Sequence, residues 1–218
     1  MITLKRPAPT PMEVACQSNE LAYLNQDWTY VKNYEFKLLI MVAILAEDHL
    51  AFWGRMEDIC KFLGVKERTR VKDDIKKALS ALVAKDQLVV TEKNGYYTLS
   101  LDPTVLKDSP KQLVLKKTWI NTIKDYKSEN KNRSVAWENT LRVFLYLCEN
   151  SLEAISYRKI ATDLDISTGI VSNAVAALTN ISACIGDLGF ARKMHYYRAL
   201  NGECYNGGQS YSIAYLWQ

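Results

Sequence analysis

The sequence predicts a mostly α-helical α+β fold with small β-hairpin wings, and three observations carry the prediction. The stretch Ser156 to Leu178, SYRKIATDLDISTGIVSNAVAAL, has the pattern of a helix-turn-helix. Ile160, Ala161 and Leu164 give a short helix one apolar face, Ile166 closes it, and Ser167-Thr168 can cap a following helix. In that following helix Ile170, Val171, Ala174, Val175 and Leu178 form one stripe. A second observation is the pair of strands Gln87 to Thr91 and Tyr96 to Leu101 about Asn94-Gly95, a strong hairpin signal, behind three helices. The third is an internal repeat. An offset of 101 pairs Phe36 with Trp137, Ile40 with Leu141, Val42 with Val143, Ile59 with Ile160 and Leu63 with Leu164; an offset of 100 then pairs Val71 with Val171 and Ile75 with Val175. Three helices followed by a hairpin, found twice, predict two winged helix-turn-helix domains in tandem.

The elements follow in order. Residues 1–33 read as an N-terminal arm rich in Pro and polar residues up to Pro11, then a short helix over SNELAYL and an extended or turn segment around Trp28 to Val31. The first winged-helix domain covers 34–105. Its opening helix, Tyr34 to Glu47, is apolar nearly all round and so belongs at the centre of a core. Arg55 to Leu63 is a second helix with Met56, Ile59, Cys60 and Leu63 on one side, Gly64-Val65 is the turn, and a third helix runs from about Glu67 to Lys85. Asp102-Pro103 and Ser109-Pro110 punctuate the exit. Residues 106–133 read as a basic helical linker, with a helix from Gln112 that carries Leu115, Trp119, Ile123 and Tyr126. The second domain covers 134–218: a helix Trp137 to Cys148, the helix-turn-helix, and a looser hairpin of Phe190 to Leu200 and Ser210 to Trp217 joined through Gly202, Gly207 and Gly208.

Composition narrows the functional classes. With 48% hydrophobic and 24% charged residues the 218-residue chain can bury a sizeable core, and a net charge of +4 excludes a polybasic coat protein. The charge is concentrated, however. Between Lys107 and Arg133, eight basic residues (Lys107, Lys111, Lys116, Lys117, Lys124, Lys127, Lys131, Arg133) face Asp108, Asp125 and Glu129. Such a strip suits a phosphate backbone, or else forms the solvated face of a linker helix. The five cysteines are scattered without CxxC spacing, which fits a reducing cytoplasm. The opening MITLKRPAPTPMEV lacks the apolar run of a signal peptide. Leu38 to Ala46, the longest apolar stretch, is far shorter than the ~20 residues a bilayer span needs. The expected location is therefore cytoplasmic, with no membrane partner.

The two candidate recognition helices differ in chemistry. Around the first, Lys66, Arg68, Thr69, Arg70 and Lys72 can neutralise phosphates or reach guanine O6 and N7. On the second, Ser167, Thr168, Ser172 and Asn173 are small hydrogen-bonding groups of the kind that read base edges. Lys93 at the first wing tip, Arg192, Lys193 and Arg198 on the second wing, and Lys116 and Lys117 on the linker are the candidates for backbone contacts, with an exposed solubilising charge as the alternative for each. Asp165 stands where a glycine often sits in such a turn; aspartate tolerates the left-handed conformation better than most residues.

Catalysis finds little support. His49 and His195 are far apart and have no metal-ligand neighbours, and the chain lacks a P-loop, GxGxxG, GxSxG and HExxH. No enzyme activity, metal or cofactor is expected.

Two winged-helix units joined by a basic segment resemble the replication initiators of plasmids and phages. The opening is similar as well: Asn19-Glu20-Leu21 is followed by Glu35-Phe36-Lys37-Leu38-Leu39, while the second-domain signature of that family is matched only at Leu141-Arg142. The resemblance implies binding to short origin repeats, with one unit able to serve dimerisation as well as DNA contact. The expectation is thus sequence-specific binding of double-stranded DNA in replication initiation or transcriptional regulation, with the protein itself or replication and transcription proteins as further partners. The rival is a winged-helix scaffold that recruits protein partners, which the near-neutral second unit favours: six Lys/Arg against seven Asp/Glu from Ser134 to Gln218. An effector-sensing repressor is a third reading and needs a ligand pocket.

Overall fold

Local sequence signals and one shared core account for most of the architecture. The computed structural model describes residues 21–31, 33–45, 51–101, 112–127, 135–150, 155–184, 190–198 and 204–213. The chain is a mixed α+β protein, mostly helical, with three small antiparallel sheets among the described residues.

Strand β1 (Leu21–Asn25) leads into a 3₁₀ turn (Gln26–Tyr30), where the Asn25 side chain accepts from the Asp27 N–H at 2.9 Å. The helix expected over SNELAYL is corrected for its described part. Leu21–Asn25 is a strand paired with β5 (Gln112–Lys116), Leu21 opposite Lys116 and Asn25 opposite Gln112. The helix expected to start at Gln112 is corrected by the same pairing: Gln112–Lys116 is strand, and helix α4 begins only at Lys117 and runs to Asp125. Period-two burial decides both cases, because Ala22 and Leu24 meet Leu113 and Leu115 on one buried face.

Helix α1 (Asn33–Leu45) is the centre its sequence predicts, with Phe36 and Leu38 through Val42 fully buried. Strand β2 (Ala51–Arg55) follows, an element the sequence reading did not resolve; the helix read from Arg55 starts one residue later, as α2 (Met56–Leu63), with Arg55 as its N-cap. Helix α3 (Thr69–Ala84) leads to the hairpin β3 (Leu88–Lys93) and β4 (Tyr96–Leu101), and β4 lies between β2 and β3. The hairpin turns through Asn94 and Gly95, whose φ values of 53° and 77° are those an Asn-Gly pair supplies. Gly54 answers a different need: a Cβ there would come within 2.5 Å of the Phe52 ring, so only glycine lets that ring fold beneath the strand.

Helix α5 (Trp137–Glu149) is buried on every side from Thr140 to Cys148, more completely than one apolar stripe predicts. Helices α6 (Tyr157–Leu164) and α7 (Thr168–Cys184) pack beside it. The final hairpin is β6 (Phe190–Arg198) with β7 (Cys204–Ile213). Its second strand begins earlier than the expected Ser210, so Gly207 and Gly208 lie within the strand, beside a register shift at His195/Tyr196. The arm before residue 21, and Tyr215 and Trp217, lie outside the described residues.

The segment read as a linker contributes to the core. Leu113, Leu115, Trp119, Ile120 and Ile123 join one cluster of buried side chains that runs from Ala22 to Ile181. Trp28 donates to Gln87 at 2.9 Å, Lys37 pairs with Glu138 at 2.8 Å, and Phe62 meets Trp137 edge-on.

Around α5, phenols are set against carboxylates. Tyr146 donates to Asp163 at 2.6 Å and Tyr30 to Glu149 at 3.3 Å, while Lys159 approaches Asp163 at 3.2 Å. Burial, then the Glu149 carboxylate, pushes the Tyr30 phenol up to about 12. Burial and Asp163 raise Tyr146, and the hydrogen bond from Tyr146 holds Asp163 below its ordinary range. A neutral phenol favoured in the folded state gives stability that is complete below the unfolded pKa of ~10 and is lost as pH rises through the folded value. The melting temperature is expected to hold up to that pH and fall above it. Tyr146→Phe should cost about 1.5–3 kcal/mol at neutral pH, the range for a hydrogen bond to a charged group, and should flatten the alkaline fall. Thermal melts of both proteins across the alkaline range check it.

Candidate nucleic-acid interface

Two helix pairs position the residues singled out in the sequence, and both turn in the same way. Helix α2 ends at Gly64, with φ 69° and ψ 28°; the Val65 N–H donates to the Cys60 carbonyl at 3.0 Å and the Gly64 N–H to the Lys61 carbonyl at 3.1 Å. Helix α6 ends at Asp165, with φ 51° and ψ 53°; the Ile166 N–H donates to the Ala161 carbonyl at 3.0 Å and the Asp165 N–H to the Thr162 carbonyl at 3.2 Å. The same two bonds close both helices, in the pattern of a left-handed C-cap. Asp165 adopts the backbone conformation its position demands.

After the first turn, Lys66, Arg68, Thr69 and Arg70 are all exposed around the start of α3. Arg68 is the N-cap residue, its side chain makes no capping bond, and the first turn holds no acidic residue. Cations here stand against the positive end of the helix dipole. Among the described residues no ion pair relieves Lys66, Arg68 or Arg70. Lys72 differs: its ammonium meets Glu67 at 2.6 Å, and that hydrogen bond raises its pKa. Lys93 is exposed at the end of β3, beside the turn of the hairpin.

After the second turn, the Ser167 hydroxyl accepts from the Ile170 N–H at 3.2 Å, so this side chain caps α7. Thr168 and Ser172 are exposed and Asn173 is half-buried, whereas Val171, Ala174, Val175 and Leu178 face the core. Arg192, Lys193 and Arg198 lie on β6, opposite Tyr211, Ser210 and Cys204.

The basic strip is divided by the fold. Lys116 ends β5 with its ammonium 5.8 Å from the Trp119 ring centroid, and Lys117 opens α4. Lys124 turns onto the Phe62 ring at 4.2 Å, and Lys127 is exposed. Lys107, Lys111, Lys131 and Arg133 lie outside the described residues. A cleft of about 890 Å³ between the 3₁₀ turn, α1, α3 and α5 is lined by two ion pairs, Lys37 with Glu138 and Lys85 with Glu35, and by Asp74 and Lys77.

Among the described residues no group of three or more His, Cys, Asp or Glu side chains is placed to hold a metal ion, and no helix is long and apolar enough to cross a membrane. His49 lies outside the described residues, and His195 is on β6 opposite Gly208. Sequence reasoning passed over one exposed group, Trp53 on β2; the alternation in Ala51–Arg55 was its one signal.

No family model and no curated protein matches this chain. Among solved structures it is similar to the DIP2311 protein of Corynebacterium diphtheriae, with 11% identity over 83% of this chain and 26% of that one, at a TM-score of 0.20. The chain therefore spans about a quarter of that protein's length, and an overlap this slight carries no statement about fold or function.

Proposed function

We propose that the chain is a binding protein without catalytic activity, which recognises specific double-stranded DNA through two winged helix-turn-helix domains, 34–105 and 134–218, in replication initiation or transcriptional regulation. The observation that carries the reading is the start of α3: Lys66, Arg68 and Arg70 are exposed, unpaired among the described residues, and set against the helix dipole. That arrangement costs the free protein stability, and a polyanion laid across it relieves the cost. Three supports stand beside it. The order α1, β2, α2, α3, β3, β4 with its three-stranded sheet is compatible with a winged helix. The α6–α7 turn repeats the α2–α3 turn bond for bond. The outward side of α7 presents hydroxyls and an amide without competing charge.

On this reading α3 supplies affinity through phosphates and α7 supplies discrimination through base edges. The partner is duplex DNA, and two reading helices in one chain contact half-sites about one helical turn, ~34 Å, apart. The testing experiment is a titration of the DNA flanking the protein's own gene, beside random duplex, across a salt series. Tight binding to a discrete repeat at physiological salt supports the proposal. Weak binding, lost equally on both DNAs, overturns it in favour of a protein-recruiting scaffold. Asn173→Ala should cost about 1–3 kcal/mol at one base position and relax the preference there, which competition with single-base operator variants measures. Equal losses on every sequence would remove Asn173 from a reading role.

A further inference from the structure

The wing sheet carries a second surface that the helix-turn-helix reading does not use. Its three strands run in register, so its outward side chains form three rows: Ala51, Ser100 and Val89; Trp53, Thr98 and Thr91; Arg55, Tyr96 and Lys93. The rows between them point the other way, with Phe52, Leu99 and Tyr97 buried and Glu92 exposed at the end of its row. None of the nine outward positions is acidic, and two are cations.

Trp53 is the anomaly on this face. It is 66% exposed, the largest exposure of any bulky apolar side chain among the described residues. It is not loose, because its indole stacks on Tyr96 with centroids 4.5 Å apart and planes within 7°. The Arg55 guanidinium lies over the same Tyr96 ring at 4.6 Å. The sheet thus holds an indole, a phenol and a guanidinium together, with the indole open to solvent.

We propose that this outward sheet face binds an unpaired nucleic-acid strand, with a base stacked on Trp53 and flanking phosphates held by Arg55 and Lys93. A flat π surface presented from a strand, cations in the adjoining row and no acid among the outward strand positions are the requirements of a single-strand platform, and the Asp58 carboxylate beside Arg55 is engaged by the Arg55 backbone N–H at 2.7 Å. Arg55 lies two residues from Trp53, about 7 Å along the strand, so that it serves the backbone while the indole serves the base. An intact duplex cannot use the surface, since its bases are already stacked on each other. A protein core patch is a poorer match: such patches are depleted in charge, and here two cations and three hydroxyls of Ser and Thr share the face with the indole, Ala51 and Val89.

The test is fluorescence anisotropy of the full chain with a labelled oligothymidylate and with an abasic oligonucleotide of equal length, which keeps the phosphates and removes the bases. Expected are tighter binding to the thymidylate and a loss of about tenfold or more on it for Trp53→Ala. Trp53→Phe should retain most of the affinity, since it keeps a ring. The abasic strand should not distinguish the three proteins. Trp53 lies outside the core, so its truncation leaves the fold in place, and matching thermal melts verify this. Equal affinity for both oligonucleotides, or a thymidylate affinity unmoved by Trp53→Ala, overturns the proposal and returns the face to a protein partner. The comparison uses no duplex, so it stands whether or not the α3 and α7 helices read DNA.

Discussion

Arg142→Leu is expected to cost the fold about 3 kcal/mol or more, the scale of an unpaired buried network. Arg142 sits in the middle of α5 and is only 4% exposed. Its Nε donates to the Thr29 carbonyl and its Nη2 to the Leu164 carbonyl, both at 2.9 Å. One guanidinium thereby ties the 3₁₀ turn to the last turn of α6, where helix carbonyls lack internal partners and a cation is favourable. Burial lowers its pKa, while the nearby Asp165 and Glu138 charges oppose that and keep the cation in place. Leucine removes the charge but strands two buried carbonyls, at about 1–3 kcal/mol each. Lysine restores the charge as a single point and cannot span both acceptors, so Arg142→Lys should fall between the two. Urea denaturation should show a lowered midpoint with an unchanged slope. Because Leu164 precedes the left-handed Asp165, amide exchange at Asp165 and Ile166 should also quicken. A loss below about 1 kcal/mol would mean that water takes the place of the guanidinium.

Arg142 also marks where sequence reasoning stops. A charged residue in an amphipathic helix reads as the solvent side, and here that side is covered by the 3₁₀ turn and α6. What the sequence did reveal was local. Apolar stripes placed α2, α3, α6 and α7 to within a few residues, and Asn94-Gly95 placed the first hairpin. The left-handed turn at Asp165 was legible because the residue type and the helix-ending apolar pattern agreed. The β1–β5 pairing was not. Leu21, Ala22 and Leu24 are good helix formers, and their alternation acquires meaning only once Leu113 and Leu115, about ninety residues away, supply the other face. Strand β2 was lost for a related reason: five residues holding a glycine and an exposed tryptophan make a weak period-two signal. Of the candidate interface, residue identities could be read, but not how each is employed. Ser167 turns out to cap a helix, Lys72 to pair with Glu67 and Lys124 to cover an aromatic ring.

The same distinction between spent and unspent cations gives the largest expected effect on binding. Neutralising Lys66, Arg68 and Arg70 together, as glutamines, removes three phosphate partners in the proposed complex. The slope of log affinity against log salt should then shrink by about 2.7, at ~0.9 per contact. Between 50 and 200 mM salt that difference corresponds to about 40-fold, so the variant should lag furthest behind the parent protein at low salt. The parallel change of Lys72 alone should shrink the slope by less than one full contact, because its ammonium is already paired with Glu67 at 2.6 Å. Fold stability supplies an independent check. The three cations oppose the α3 dipole, so the triple variant should melt no lower than the parent, and slightly higher at low ionic strength. Weaker DNA binding together with unchanged or improved stability would separate a binding role from a structural one. If the slope stays as it was while stability rises, these residues repel one another for some purpose other than phosphate, and the DNA reading of α3 is lost. Loss of affinity with the slope intact means that these side chains meet the DNA elsewhere than at its phosphates, and Asn173→Ala then decides whether α7 reads bases beside them.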